Sequence, residues 1–300
     1  AARTPLAGLG VRMNKGESLI ESIRSQQDLQ TFQDLHWSGS FADYLDRVRA
    51  NPHVTRNAFQ RLHDMVVSHG TDEYVEFKKH ITRYRLFDDP IDGGKDAIFG
   101  IDVQLQKLVQ VFKAAAMGYG PEKRVILLHG PVGSAKSTIV RLLKKGLEQY
   151  SRDPEGALYS FSWKDDSAEG GWIPDPVHDD PLKLVPDAFR EQVGASLSND
   201  QFKVKIRGEL SPVSRFLFRK KMEEYAGDWA RVVQDVRVQR VVLSEKDRIG
   251  IGTFQPKDEK NQDSTELTGD VNSARSRCTA RTRTPARSTS TVSSTSPIGG

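Results

Sequence analysis

The chain has 300 residues, of which 37% are hydrophobic and 28% charged, so it is long enough to bury a substantial core. No apolar run approaches the ~20 residues of a membrane-spanning helix, which argues against a membrane protein. The net charge of +4 comes from residues 273–300, which carry five arginines and no acid; without them the charge is −1, so no general attraction to nucleic acid is expected.

Residues 1–94 are predicted to form an N-terminal helical domain. Ser40 and Asp43 make a capping-box-like start for one helix, and apolar spacing predicts another over residues 55–70. Residues 74–84 fit a helix or a strand equally well. A stretch rich in Asp, Gly and Pro then closes this region and marks the predicted boundary.

An α/β core is predicted over residues 95–272. It opens with a helix over residues 101–117, and the apolar run 124–128 is typical of a buried strand. A short Gly-containing loop follows, and the apolar spacing from Ile139 to Leu147 is helical. Strand, loop and helix in this order is the setting of a phosphate-binding loop.

The loop has the residues that phosphate binding needs. The usual pattern is G-x-x-x-x-G-K-[ST], and here Ala135 replaces the second glycine, which adds one methyl group. Lys136 is predicted to reach the β- and γ-phosphates, and Ser137 to ligate Mg²⁺. The alternative is an ordinary turn with a chance Lys-Ser pair. The predicted phosphate-binding residues are Gly130, Pro131, Val132, Gly133, Ser134, Ala135, Lys136, Ser137 and Thr138.

Beyond this helix, alternation over residues 158–163 predicts a second strand. The acidic stretch 164–180 is interpreted as a solvated loop, since its spacing does not match a calcium-binding loop. An apolar stripe predicts a helix over residues 217–238.

Residues 240–245 are predicted to form a strand that ends in an acid. P-loop enzymes use such an acid, the Walker B Asp, to hold the water shell of Mg²⁺. Ser244 occupies that Asp position, so Glu245 is retained only as a candidate and the catalytic residues are left unassigned.

Residues 273–300 are predicted to be disordered. Eighteen of these 28 residues are Ser, Thr or Arg, and none is aromatic, so they cannot build a core. The segment is either a genuine basic tail or the product of a reading-frame shift near Asn272. It contains the single cysteine, Cys278, which excludes a disulfide framework; we therefore expect a cytoplasmic protein.

Three stretches resemble the bacterial PrkA-type serine protein kinases, which carry an AAA-type ATPase module. They are Trp37–Leu45 with the Asn51-Pro52 pair, the loop Gly130–Ser137, and the long polar string Leu243–Asp263. The resemblance covers about residues 27–272. It implies an AAA-type P-loop core that binds ATP and Mg²⁺, and phosphorylation of protein serine or threonine. By position it places Ile98, Phe99 and Gly100 against adenine.

The chain departs from this family in two places. Some members have a C-P-x-C pair where this chain has Ser211-Pro212-Val213-Ser214, so a metal or redox role is not expected there. Members continue beyond Asn272 with an acid-ended apolar strand, which we interpret as their Walker B strand, so the core is predicted to be incomplete. The alternatives are an inactive nucleotide-binding fragment and an ATPase that remodels proteins; a homo-oligomer is compatible with both.

Overall fold

This computed structural model describes residues 29–165 and 171–254. The tail 273–300 and the string 255–263 lie outside the described residues. The helices are α1 (Leu29–Leu35), α2 (Phe41–Ala50), α3 (Ala58–Ser68), α4 (Asp102–Ala116), α5 (Lys136–Arg152), α6 (Asp187–Leu197), α7 (Pro212–Glu224) and α8 (Trp229–Gln234). The strands are β1 (Ser38–Ser40), β2 (Thr71–Glu76), β3 (Lys79–Tyr84), β4 (Leu158–Lys164), β5 (Trp172–Pro174) and β6 (Val236–Val241).

The larger sheet has the strand order β1-β6-β4-β5, and each pair is antiparallel. Strand β4 lies inside it, with Phe161 opposite Val238 of β6. Five consecutive residues of β4, from Tyr159 to Trp163, are buried, as expected of a strand covered on both faces. The strand predicted over residues 158–163 is therefore confirmed, and the chain has the mixed α/β architecture.

Strands β2 and β3 form a separate antiparallel hairpin, which resolves the ambiguity over residues 74–84. The hairpin turns at Phe77 and Lys78, whose φ angles are +48° and +62°. Two positive φ angles are what a tight hairpin turn requires, although glycine or asparagine usually supplies them.

The predicted helix start is confirmed at α2, whereas α3 begins at Ala58, three residues after the predicted start. The Ser40 hydroxyl accepts a hydrogen bond from the backbone N–H of Asp43, and the Asp43 carboxylate accepts one from Ser40, which completes the capping box. Asn57 and Gln60 make the same reciprocal pair at the start of α3.

Two clusters of buried apolar side chains form the core. The first lies on the larger sheet, where Trp163 and Val238 have no exposed surface. Its buried members are Phe41, Tyr44, Val48, Val54, Ala157, Tyr159, Phe161, Trp163, Leu182, Leu184, Val185, Leu197, Val204, Leu210, Val232, Val236 and Val238.

The second cluster lies between α3, α4 and α5. Its buried members are Met65, Val66, Leu86, Phe87, Ile98, Leu105, Leu108, Val109, Phe112, Ile139, Leu142 and Tyr150. Each cluster contains residues from both sides of residue 94, so the predicted domain boundary does not separate the two clusters.

Arg61 connects α3 to the segment that leads into β4. Its guanidinium donates hydrogen bonds to the carbonyls of Gly156 and Ala157, at 2.7 and 3.0 Å, and to those of Val54 and Arg56, both at 3.2 Å. Burial lowers the pKa of Arg61 to about 10, so the side chain is still cationic at neutral pH. Because a buried cation needs its hydrogen-bond acceptors, Arg61 holds the two clusters together.

The prediction of a strand over residues 124–128 is wrong. This stretch is irregular chain, and Val125 and Leu127 are 95% and 83% exposed. Its apolar sequence suits a strand between two others. No backbone group of residues 125–129 pairs with another backbone group in residues 29–165 or 171–254, and without such pairing a strand does not form.

The helix predicted over residues 217–238 is also wrong. Helix α7 ends at Glu224, and Gly227 turns the chain with a φ of +87°. Asp228 then caps α8, and β6 begins at Val236. The apolar side chains of the stripe do pack against the first cluster, but from two helices, α7 with its C-cap Tyr225 and α8, rather than from one.

The acidic stretch 164–180 is not simply a solvated loop. The Asp175 side chain is buried, and one of its oxygens accepts hydrogen bonds from the hydroxyls of Ser211 and Ser214 at 2.8 and 2.6 Å. Its other oxygen accepts the backbone N–H of Asp179 at 2.8 Å. These bonds fasten the loop to the start of α7, and no group of acids, His or Cys in the described residues could hold a metal ion.

Candidate functional site

The loop before α5 contains two residues with positive φ angles. Gly133 has a φ of +84°, and Ala135 has a φ of +57° at the position just before the helix. No side chain caps α5, whereas Ser40 and Asn57 cap α2 and α3. The first N–H groups of α5 have no partner within the helix, so they and the positive end of its dipole are open to an anion.

Lys136 lies at the centre of this loop. Its ammonium group donates to the carbonyls of Gly130 and Pro131, at 2.9 and 2.6 Å, and to the Ser134 hydroxyl at 3.0 Å. The cation is therefore held over the loop by neutral acceptors, and no carboxylate of residues 29–165 or 171–254 pairs with it. Its charge is available to a phosphate, which is a stronger acceptor than a carbonyl.

A second segment, residues 95–101, faces the loop across a cleft of about 320 Å³. The backbone N–H of Ile98 donates to the Phe87 carbonyl at 2.8 Å, and the Ile98 side chain is buried in the second cluster. Phe99 is 71% exposed beside it. The residues that line the cleft are Lys95, Asp96, Ala97, Ile98, Phe99, Ile101, Gly133, Ser134, Ala135 and Thr138.

The structure thus brings together six of the predicted cofactor-binding residues around one cleft: Ile98, Phe99, Gly133, Ser134, Ala135 and Thr138. The other predicted residues are not part of its lining: Gly100, Gly130, Pro131, Val132, Lys136 and Ser137. Lys136 and Gly130 contact one another in the adjoining loop, and Ser137 is exposed in the first turn of α5. Lys95 and Asp96 were missed because no motif marks them.

Glu245 does not line the cleft. Its carboxylate pairs with Lys144 on α5 and accepts a hydrogen bond from the Thr253 hydroxyl. These bonds, that of Lys144 first, lower the pKa of Glu245, which makes it a weaker base. Lys144 is eight residues beyond Lys136, or about 12 Å along the helix. Glu245 therefore fastens the 244–253 segment to α5, and the strand predicted over residues 240–245 overlaps β6 only at residues 240–241.

A family model described as the PrkA AAA domain matches residues 39–281. The chain belongs to this family. The match spans both core clusters, the residues that line the cleft and all of the larger sheet except Ser38.

Two relatives extend the comparison of this PrkA AAA domain. It is 36% identical over 254 residues to the ATP-dependent protease PrkA of Bacillus subtilis. The alignment covers 84% of this chain and 34% of the relative. It is 25% identical over 233 residues to the serine/threonine kinase YeaG of Escherichia coli strain K12, with 77% and 32% covered. The chain spans about a third of the length of these relatives.

No solved structure matches the chain. Among the helices of residues 29–165 and 171–254, none combines the length and the apolar character needed to cross a bilayer.

Proposed function

We propose that this chain binds ATP with Mg²⁺ in the cleft between residues 95–101 and the loop before α5. The observation that carries the proposal is that the uncapped start of α5, with the Lys136 ammonium in the adjoining loop, faces a cleft whose opposite side includes Ile98 and Phe99. An anion-binding end and an apolar surface across one cleft suit a ligand with a polyphosphate and a flat base.

Each residue has a defined part in this binding. The loop N–H groups and Lys136 would neutralise phosphate charge, and Ile98 and Phe99 would pack on the base. Lys136 would exchange its loop carbonyls for phosphate oxygens. The Ser137 hydroxyl, exposed in the first turn, fits a metal ligand beside the phosphates. Bound Mg²⁺ would supply positive charge to the phosphate oxygens.

For the whole protein we propose ATP-dependent chemistry on protein substrates. The name of the Escherichia coli relative favours phosphorylation of serine or threonine, which is the role that we prefer. The name of the Bacillus subtilis relative favours ATP-driven action on proteins, which is the second candidate.

Titration calorimetry of the full chain with ATP and Mg²⁺ tests the binding site. We expect Lys136→Ala to lower ATP affinity at least tenfold, because a cation is removed from the phosphates. Lys123→Ala, which removes an exposed lysine seven residues before Gly130, is the matched control and should bind as the parent does. Equal affinity of Lys136→Ala and the parent would show that the loop is not the binding site.

A further inference from the structure

Asp96 connects residues 95–101, which form the wall of the cleft opposite the loop, to α5. Its carboxylate accepts hydrogen bonds from the guanidinium of Arg141, at 3.0 and 3.2 Å, and from the ammonium of Lys145 at 3.1 Å. The Asp96 side chain is 14% exposed, so these pairs are partly shielded from water. Arg141 and Lys145 are four residues apart on α5 and therefore lie on one face of it.

The backbone around Asp96 is fixed as well. The buried carboxylate of Asp89 accepts the N–H of Asp96 at 2.9 Å and that of Asp92 at 3.3 Å. Asp92 also pairs with Lys145. Residues 89–96 are thus tied to α5 by the side chains of Asp92 and Asp96. The Asp89 carboxylate fixes the turn between them.

Asp96 belongs to the lining of the cleft, together with Ile98 and Phe99 two and three residues further on. Arg141 and Lys145 belong to the same helix whose first turn opens on the cleft from the other side. The ion pairs therefore connect the wall that faces a base to the helix that faces the phosphates. The bond from Lys145 lowers the pKa of Asp96, so the carboxylate is charged at neutral pH and the connection is intact.

We propose that Asp96, held by Arg141 and Lys145, is a positioning residue. It sets the distance between residues 95–101, which would contact the base, and the phosphate-binding end of α5. This inference rests on the proposed ATP site and adds the group that makes the cleft fit a nucleoside triphosphate rather than a polyphosphate alone. A ligand that touches both sides needs the correct spacing. A ligand that touches only the loop does not.

The test compares ATP with inorganic tripolyphosphate, each with Mg²⁺, by titration calorimetry on the full chain. We expect Asp96→Ala to lower ATP affinity about tenfold, as the loss of a charge-assisted pair suggests, and to change tripolyphosphate affinity less than twofold. Asp96→Glu, which keeps the charge, should restore most of the ATP affinity. Asp46→Asn removes an exposed carboxylate paired with Arg49 and should alter neither ligand.

A double variant tests the route through Arg141. If the pair acts as one unit, Asp96→Ala with Arg141→Gln should bind ATP no more weakly than Asp96→Ala alone. Equal losses for ATP and tripolyphosphate, or no loss for either, would overturn the positioning role while Lys136→Ala still supports the ATP site. Absence of ATP binding in the parent chain would overturn both.

Discussion

At the residue scale, Ala135 is the most informative departure from the motif. It has a φ of +57° directly before α5, a conformation in which the side-chain methyl crowds the backbone. Glycine, which the usual pattern has here, adopts it without this cost. Residue 135 thus has a left-handed backbone although the sequence has alanine rather than glycine there.

We therefore expect Ala135→Gly to raise the free energy of unfolding by about 0.5–1 kcal/mol, since relief of strain outweighs the added freedom of the unfolded chain. Urea unfolding measures the change. Ala114→Gly, inside the right-handed helix α4, is the matched control and should lower the free energy of unfolding by a similar amount. A loss of stability in both variants would mean that residue 135 is not strained.

Asp180 gives a second prediction, on pH. Burial raises the pKa of Asp180 to about 6, although its Oδ1 accepts bonds from the Tyr44 hydroxyl and the Leu182 N–H. A carboxyl whose pKa is higher in the folded state stabilises the fold below the unfolded value near 4. That stabilisation is lost as the pH rises through 6.

Asp180→Asn keeps an acceptor oxygen for both bonds and cannot ionise. Relative to this variant, the wild-type free energy of unfolding should fall by about 2 kcal/mol between pH 4 and pH 7, measured by denaturant unfolding at each pH. Asp200→Asn, at an exposed position, should show no such trend. A flat difference between wild type and Asp180→Asn would place the pKa of Asp180 in its usual range.

At the element scale, local signals were sufficient where an element satisfies its own backbone. Helices α2 and α5 begin where the capping pair at Ser40 and the phosphate-loop pattern predict. The hairpin of β2 and β3 was ambiguous because Phe77 and Lys78 lack the glycine or asparagine that marks its turn.

Elements that depend on distant partners could not be predicted from their own residues. The run 124–128 has the composition of a buried strand, but a strand also needs a neighbour to pair with. The sequence shows Asp175 as one of many acids, and only the fold reveals the hydroxyls of Ser211 and Ser214 around it. Asp96 was missed at the site for the same reason, because Arg141 is 45 residues away along the chain.

The exposed run gives a prediction of its own. Leu127 is 83% exposed, whereas Leu128 packs against the second cluster. Leu127→Lys should therefore change the free energy of unfolding by less than about 0.5 kcal/mol and reduce self-association in static light scattering. Leu128→Lys should destabilise the fold by about 2 kcal/mol or more. Equal destabilisation by both would show that the outer face of the run is covered.

At the scale of the whole molecule, the acid that lines the cleft among the described residues is already paired and is not free to activate water. Asp96 is the one acid that lines it in residues 29–165 and 171–254, and it is bound to Arg141 and Lys145. We expect this chain to bind ATP with little turnover, measured as phosphate release at saturating Mg²⁺ and ATP. Release at about 1 s⁻¹ that disappears in Lys136→Ala would contradict this expectation.

The hydrogen bonds of Arg61 that connect the two clusters have a consequence for unfolding. Its guanidinium belongs to the helix of one cluster and holds the carbonyls of Gly156 and Ala157, which lead into the sheet of the other. If either cluster opened alone, a buried cation would lose its acceptors, so partial opening is penalised from both sides. The part of the chain that the structure describes should therefore melt as one cooperative unit, with equal calorimetric and van't Hoff enthalpies. Arg61→Lys cannot reach four carbonyls at once. In this variant the two clusters should unfold in two overlapping transitions.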